Sequence, residues 1–206
     1  MVLNLFKHSK KLNIVFPKLK SKERKKINHY GVGKITNLPM FVRKELDEFD
    51  EYVDCLSSVK DFIIRYSVTD LNLLTPHIHT ADQSMVNFYI DADDEVTTFW
   101  HGELERDNRL TKDNGNTYYA VRCDRDIYPV DRFIAKPQEA WALDTLTAHS
   151  VLPNLESEKI IVDKKYKGNP LIRNKDLFEH TKKMKRKVIQ FSFDIPFAEL
   201  IDRLDG

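Results

Sequence analysis

His77-Ile-His-Thr-Ala-Asp-Gln-Ser-Met-Val-Asn-Phe-Tyr-Ile90 contains two short runs, His77–Ala81 and Met85–Ile90, separated by polar residues. Both runs carry β-branched or aromatic residues and read as strands. Side chains two apart on a strand share a face, so His77 and His79 present two imidazoles to one side. A third histidine, His149, opens another strand-like run in Thr-Ala-His-Ser-Val. Neutral imidazoles converging from two strands suit a first-row divalent metal. The same spacing also suits histidines that bond only to their neighbours.

Working outward, runs of the same kind recur at Val96–Trp100, Thr117–Arg122, Asp131–Ala135, Ala140–Asp144, His149–Leu152 and Val188–Phe193. Turn signals divide them, among them Asp91-Ala-Asp-Asp94, Asp113-Asn-Gly-Asn116 and Lys136-Pro-Gln138. This regular spacing predicts a mainly β sandwich or barrel. Upstream, apolar residues at Phe41, Leu46, Phe49, Val53, Leu56, Val59, Phe62 and Ile63 recur at intervals of mostly three and four. They predict a helical flank from Pro39 to about Tyr66, with Ser57-Ser58 a possible break. A further strand is expected at Leu12–Phe16, closed by Pro17. The expected organisation is one domain over 1–206. It comprises a basic extension (1–30), the helical flank (39–66) and a β core (70–195). A basic insertion (155–187) interrupts the core and carries a short helix near Asn174–Lys185.

The chain has 206 residues, of which 41% are hydrophobic and 11% aromatic, which excludes a wholly disordered chain. No apolar run approaches the roughly 18–20 residues of a membrane helix, and the opening residues hold too short an apolar stretch for a secretory signal. Cys55 and Cys123 make neither a disulfide framework nor a zinc site, so a cytoplasmic setting is expected. Charge is uneven. Residues 1–30 hold nine Lys/Arg and one acid, residues 31–150 hold twelve against twenty-two, and 155–187 hold eleven against five. Basic segments on an acidic body are expected either to touch a polyanion or to serve as solvated surface. Residues 1–12 and much of 155–185 are expected to be peripheral and the most mobile or partner-dependent parts.

Arg186 opens the last strong run, out of phase with Ile189, Phe191 and Phe193. In a barrel it would face inward, where a guanidinium fork holds a carboxylate bidentately. Otherwise it is one more charge in the basic run Lys182–Lys187. His8, His29, His101 and His180 are expected to be structural or on the surface. Tyr89, Trp100, Tyr118, Tyr119 and Trp141 are expected in the core, with pocket lining as the alternative.

The ordered set of segments over about 75–195 resembles the iron(II)/2-oxoglutarate-dependent oxygenases, most closely the aspartyl/asparaginyl β-hydroxylase-like branch. His77-Ile-His79 with Asn87 is similar to that branch's first metal-binding strand and the strand after it. Thr97-Thr-Phe-Trp100 resembles the strand that follows, Ala140-Trp-Ala-Leu-Asp-Thr145 with His149-Ser-Val the approach to its distal histidine, and Arg186 with Ile189-Gln-Phe-Ser-Phe193 its closing strand. The resemblance implies a cupin-like double-stranded β-helix. It also implies iron(II) on His77 and His149, and 2-oxoglutarate as cosubstrate near Asn87 and Arg186. The far carboxylate of 2-oxoglutarate would pair with Arg186. The substrate, a small molecule or a peptide, is not specified.

Two departures bear on this expectation. The carboxylate ligand of the family is replaced by His79. The site is then His77, His79 and His149, or Asp82 bends in as the acidic ligand, or His79 is the first ligand with Ala81 at the carboxylate position, or no iron binds. In addition, 36 residues separate His149 from Arg186, more than the family pattern has. Three functions compete: a 2-oxoglutarate-dependent hydroxylase, a non-catalytic binding module on the same fold, and a three-histidine dioxygenase that needs no 2-oxoglutarate.

Overall fold

The structure, a computed structural model, describes residues 7–18, 35–39, 49–69, 74–79, 82–102, 105–113, 116–122, 127–154 and 185–206. Their strands form two six-stranded sheets. The first runs in the order β1 (Ser9–Lys11), β10 (Glu139–Asp144), β5 (Ser84–Asp91), β12 (Lys187–Phe193), β3 (Ile63–Thr69), β2 (Ile35–Pro39). The second runs β7 (Glu105–Asp113), β8 (Asn116–Arg122), β4 (Leu74–His79), β11 (His149–Pro153), β6 (Glu95–Gly102), β9 (Ile127–Ile134). Every neighbouring pair is antiparallel. The chain is mainly β, as the strand-like runs predict.

The alternation along β5 explains how the layers stack. Val86 and Phe88 point to the outer face of the first sheet, while Met85 and Tyr89 point the other way. The outer cluster joins Val86, Phe88, Ile189, Phe191 and Phe193 to Phe49, Tyr52, Leu56 and Val59 from the segment before β3. The inner cluster joins Met85, Tyr89, Leu143 and Val188 to Phe99, Phe133 and Ala135 of the second sheet and its flank. Each buried aromatic or aliphatic side chain contributes roughly 1.5–3 kcal/mol. Asn87, between Met85 and Tyr89 in phase, therefore lies on the face between the sheets, where it is buried.

The helix expected from Pro39 to Tyr66 is corrected. Pro39 ends β2, and helix α1 spans only Asp50–Asp54, followed by turns and one 3-10 turn at Lys60–Phe62. Ile63 to Thr69 is strand β3, held between β12 and β2. The run Ile63-Ile-Arg-Tyr-Ser-Val-Thr69 is rich in β-branched residues, which favour a strand when partners flank both sides. Residues 40–48 lie outside the described residues. The three-and-four spacing of Phe49 to Val59 records a short helix and its turns packed on one sheet face.

The strand expected at Leu12–Phe16 is displaced to β1. Leu12 still donates its N–H to Ala140 O at 2.9 Å, but the following residues leave the ladder. Phe16 instead lays its ring edge-on to Tyr52 and Phe88. Residues 8–12 are thus part of the core edge rather than periphery: His8, Ser9 and Leu12 are buried. The C-terminal helix α2 (Phe197–Asp205), not anticipated from the sequence, buries Leu200 against the outer cluster, with Ile201 and Leu204 beside it. Most of 1–30 and nearly all of 155–187, with the helix expected at Asn174–Lys185, lie outside the described residues. Among the described residues no helix is long and apolar enough to cross a membrane.

Candidate metal centre

His77 and His79 stand at the end of β4, and His149 is the first residue of β11. The two strands are neighbours, with His149 directly opposite His77. Period 2 on β4 and pairing across the ladder therefore bring three imidazoles to one point. Their ring centroids are 5.2 Å (77–79), 4.4 Å (77–149) and 5.0 Å (79–149) apart. One ligand nitrogen of each lies within 4.8 Å of the others, and His77 and His149 are buried. Nε2 of His77 and Nε2 of His79 are 3.3 Å apart.

The tautomers follow from the acceptors. His149 Nδ1 sits 2.9 Å from Thr147 O, which only accepts, so Nδ1 carries the proton and Nε2 keeps its lone pair. His79 Nδ1 sits 2.7 Å from Asp82 Oδ2 and is fixed in the same way. Burial first, and then the neighbouring His79, push the pKa of His149 down from 6.5 to about 4, so it is neutral near pH 7. Two imidazoles on adjacent positions of one ion, with bonds of about 2.0–2.1 Å, have their nitrogens about 2.8–3.4 Å apart. The His77–His79 separation fits this, and the neutral donor set fits a divalent first-row ion.

Asp82 has a side chain with no exposed surface, between β4 and β5. One carboxylate oxygen accepts from His79 Nδ1, and the other accepts from Arg65 Nη2. Arg65 is held in turn by Ser192, whose Oγ accepts from its Nε at 3.2 Å. Burial raises the Asp82 carboxyl, but the charge and hydrogen bond of His79, then Arg65 and His149, outweigh this and hold it below its ordinary range. Asp82 thus stands behind His79, not beside the nitrogens; bending it inward would break both of its side-chain bonds. The loop from β10 to β11 completes the frame. His79 N donates to Thr145 O at 3.2 Å, and Thr145 Oγ1 donates to Asp82 O at 3.0 Å. Ala81 lies outside the described residues.

Arg186 is buried immediately before β12 and reaches across to the second sheet. Its Nε is 3.3 Å from Glu95 Oε1, and its guanidinium carbon lies 5.6 Å from the centroid of the Tyr89 ring. Burial raises the Glu95 carboxyl, and the Arg186 charge opposes this without cancelling it. Asn87 Oδ1 and Tyr89 Oη are buried on the same face of β5, and neither atom has a hydrogen-bond partner among the described residues. Buried polar atoms without partners are uncommon and mark sites that take water or a ligand.

Sequence reasoning missed Arg65 and Glu95. Arg65 was hidden by the helical reading of its segment. Glu95 shares strand parity with Thr97 and Phe99, a signal present but unused. His8, expected to be structural or on the surface, is buried against Phe99 and Asp144. His101 is exposed and packs on His8 rather than on the three-histidine group. Tyr89 and Trp100 are buried as expected, and Trp141 is half-buried, stacked on Phe133. Compared with models of known protein families and with characterised proteins, the sequence matches none.

Proposed function

We propose that this chain is a metal-dependent oxygenase on a double-stranded β-helix. In this reading His77, His79 and His149 hold iron(II), and 2-oxoglutarate serves as cosubstrate. The strand order supports the fold. Counting β3, β4, β5, β6, β9, β10, β11 and β12 as strands one to eight, the sheets read 6-3-8-1 and 2-7-4-5. That is the interleaving of a jelly roll. The β7–β8 hairpin then extends the second sheet beside strand two.

The single observation that carries the reading is the convergence of three histidines, two with Nδ1 tied back so that Nε2 keeps its lone pair. Bound iron(II) would supply the dioxygen and one-electron chemistry that protein side chains lack. Asp82 supplies at one remove the negative charge that a carboxylate ligand would give directly, and it makes His79 a stronger donor. Arg65 holds Asp82, so the imidazole is oriented by a chain of two bonds. Arg186, buried with Asn87 and Tyr89, is the group that would take the far carboxylate of 2-oxoglutarate.

A second reading, a three-histidine dioxygenase that uses no 2-oxoglutarate, is favoured by one observation. Glu95 already lies against Arg186 and offsets its charge. Anaerobic calorimetry separates the two, with 2-oxoglutarate titrated into the iron-loaded protein and into Arg186→Ala. Binding that is lost in a variant that still folds and holds its iron supports the cosubstrate reading. Metal binding without 2-oxoglutarate binding supports the second. Absence of metal binding contradicts both and leaves a non-catalytic module.

A further inference from the structure

We propose that His8 and His101 form a second binding site for a divalent first-row transition ion, one aromatic ring away from the three-histidine group. The His8 ring stacks on Phe99 at 5.7 Å, and Phe99 in turn lies 5.7 Å from the His149 ring. The two histidine groups therefore flank the same phenyl ring.

The first argument is the way His8 is held. Its Nδ1 is 2.8 Å from Asp144 Oδ2 and 3.0 Å from Thr147 Oγ1. Thr147 Oγ1 also donates to Asp144 Oδ2 at 2.7 Å, and Leu146 N donates to Asp144 Oδ1 at 3.0 Å. A carboxylate loaded with donors in this way makes Nδ1 the proton-bearing nitrogen and leaves the lone pair on Nε2. This is the arrangement of His79 with Asp82, and it is how metal-binding histidines are commonly fixed. Among the described residues His8 makes no hydrogen bond through Nε2.

The second argument is spacing. Metal–nitrogen bonds of about 2.0–2.1 Å put the ring centroids of two adjacent imidazole ligands about 4.5–5.3 Å apart. The centroids of His8 and His101 are 5.1 Å apart, with the ring planes at 67°. This falls within the range spanned by the three-histidine group. His101 is exposed, so an ion held there keeps its remaining positions for water.

The third argument is charge. Asp144 accepts hydrogen bonds from His8 Nδ1, Thr147 Oγ1 and Leu146 N, the donor set of a charged carboxylate. Asp131 brings a second carboxylate, accepting from His8 N at 3.0 Å and from Ser9 Oγ at 2.7 Å. A cation on His8 Nε2 is therefore backed by two acids. It would also pin β1 across the gap between β10 and β9, because His8 and Ser9 bond to residues of both strands.

The test is zinc(II) titration of the metal-free full chain, with bound metal counted after equilibrium dialysis. The unsubstituted protein should bind two equivalents, the second at least tenfold more weakly than the first. His101→Ala, at an exposed position that should not disturb folding, should remove the weaker equivalent and leave the tighter one. His149→Ala should do the reverse. Two equivalents retained in His101→Ala, or a single equivalent in the unsubstituted protein that His101→Ala leaves intact, would overturn the proposal. In that case His8 serves only to dock the N-terminal strand. If His149→Ala leaves the tight equivalent in place while His101→Ala still removes one, the three-histidine reading fails and the His8–His101 site stands.

Discussion

Asp82 lies behind His79, its Oδ2 2.7 Å from the ring Nδ1, so the acid nearest the three-histidine group acts through a histidine rather than beside it. Converting this hydrogen bond to that of a neutral amide weakens the donor power of His79 without removing it. Asp82→Asn is expected to lower metal affinity 10–100-fold. His79→Ala should lower it further. Competition against a chromophoric chelator measures both; unchanged affinity in Asp82→Asn would show that the pair does not tune the site.

The depressed pKa of His149 makes the metal-free protein sensitive to mild acid. The unfolded chain takes up this proton near pH 6.5, whereas the folded one resists until about pH 4. Stability should therefore fall as pH drops through that window, by up to about 1.4 kcal/mol per pH unit from this group. Asp82, held low, adds its own loss only as pH falls below its ordinary value of 3.8. Glu95, held high, works the other way: its contribution weakens as pH rises through 4.5. Urea unfolding of the metal-free protein at a series of pH values reads the slope. His149→Gln should flatten it between pH 6.5 and 4, and an unaltered slope would assign the effect elsewhere.

The Arg186–Glu95 pair is buried on both sides, at 1% side-chain exposure each. Removing one partner leaves an uncompensated charge and is expected to cost about 3–5 kcal/mol. Glu95→Gln keeps the shape and should cost less than Arg186→Ala. The double variant Arg186→Met/Glu95→Leu should recover part of the loss. Denaturant unfolding of the unsubstituted protein, Arg186→Met, Glu95→Leu and the double variant closes the cycle; simple additivity would mean that the two side chains do not act as a pair.

Helix α2 rests on one fully buried anchor, Leu200. Leu200→Ala should destabilise the protein by about 2–5 kcal/mol, as expected for a leucine truncated in a packed site. The exposed ion pair Glu199–Arg203 of the same helix should matter far less. Thermal melts of Leu200→Ala and Glu199→Ala compare them, and equal effects would contradict the packing described for this helix.

The strands were legible where alternation and turn residues coincide, as in Met85–Ile90 and Ala140–Asp144, because a period of two admits few other structures. The same rule put His77 and His79 on one face, and the adjacent strand β11 of the same sheet brought His149 to them. The inward phase of Arg186 was legible too. Its partner was not, because Glu95 sits on a distant strand and nothing local marks an ion pair across two sheets. Ile63 to Tyr66 was read as helix since its apolar residues continue the spacing of Phe49 to Val59; only pairing with β12 and β2 makes it a strand. The role of Asp82 depends on Arg65 and on the β10–β11 loop, contacts that sequence spacing does not encode.

The central claim is that His77, His79 and His149 bind one ion together. X-ray absorption of the protein loaded anaerobically with one equivalent of iron(II) tests it most directly. Three imidazole ligands at about 2.0–2.2 Å are expected. His79→Ala should reduce them to two, and His101→Ala should leave all three. A spectrum with no more than one imidazole, or one unchanged by His79→Ala, would contradict the account.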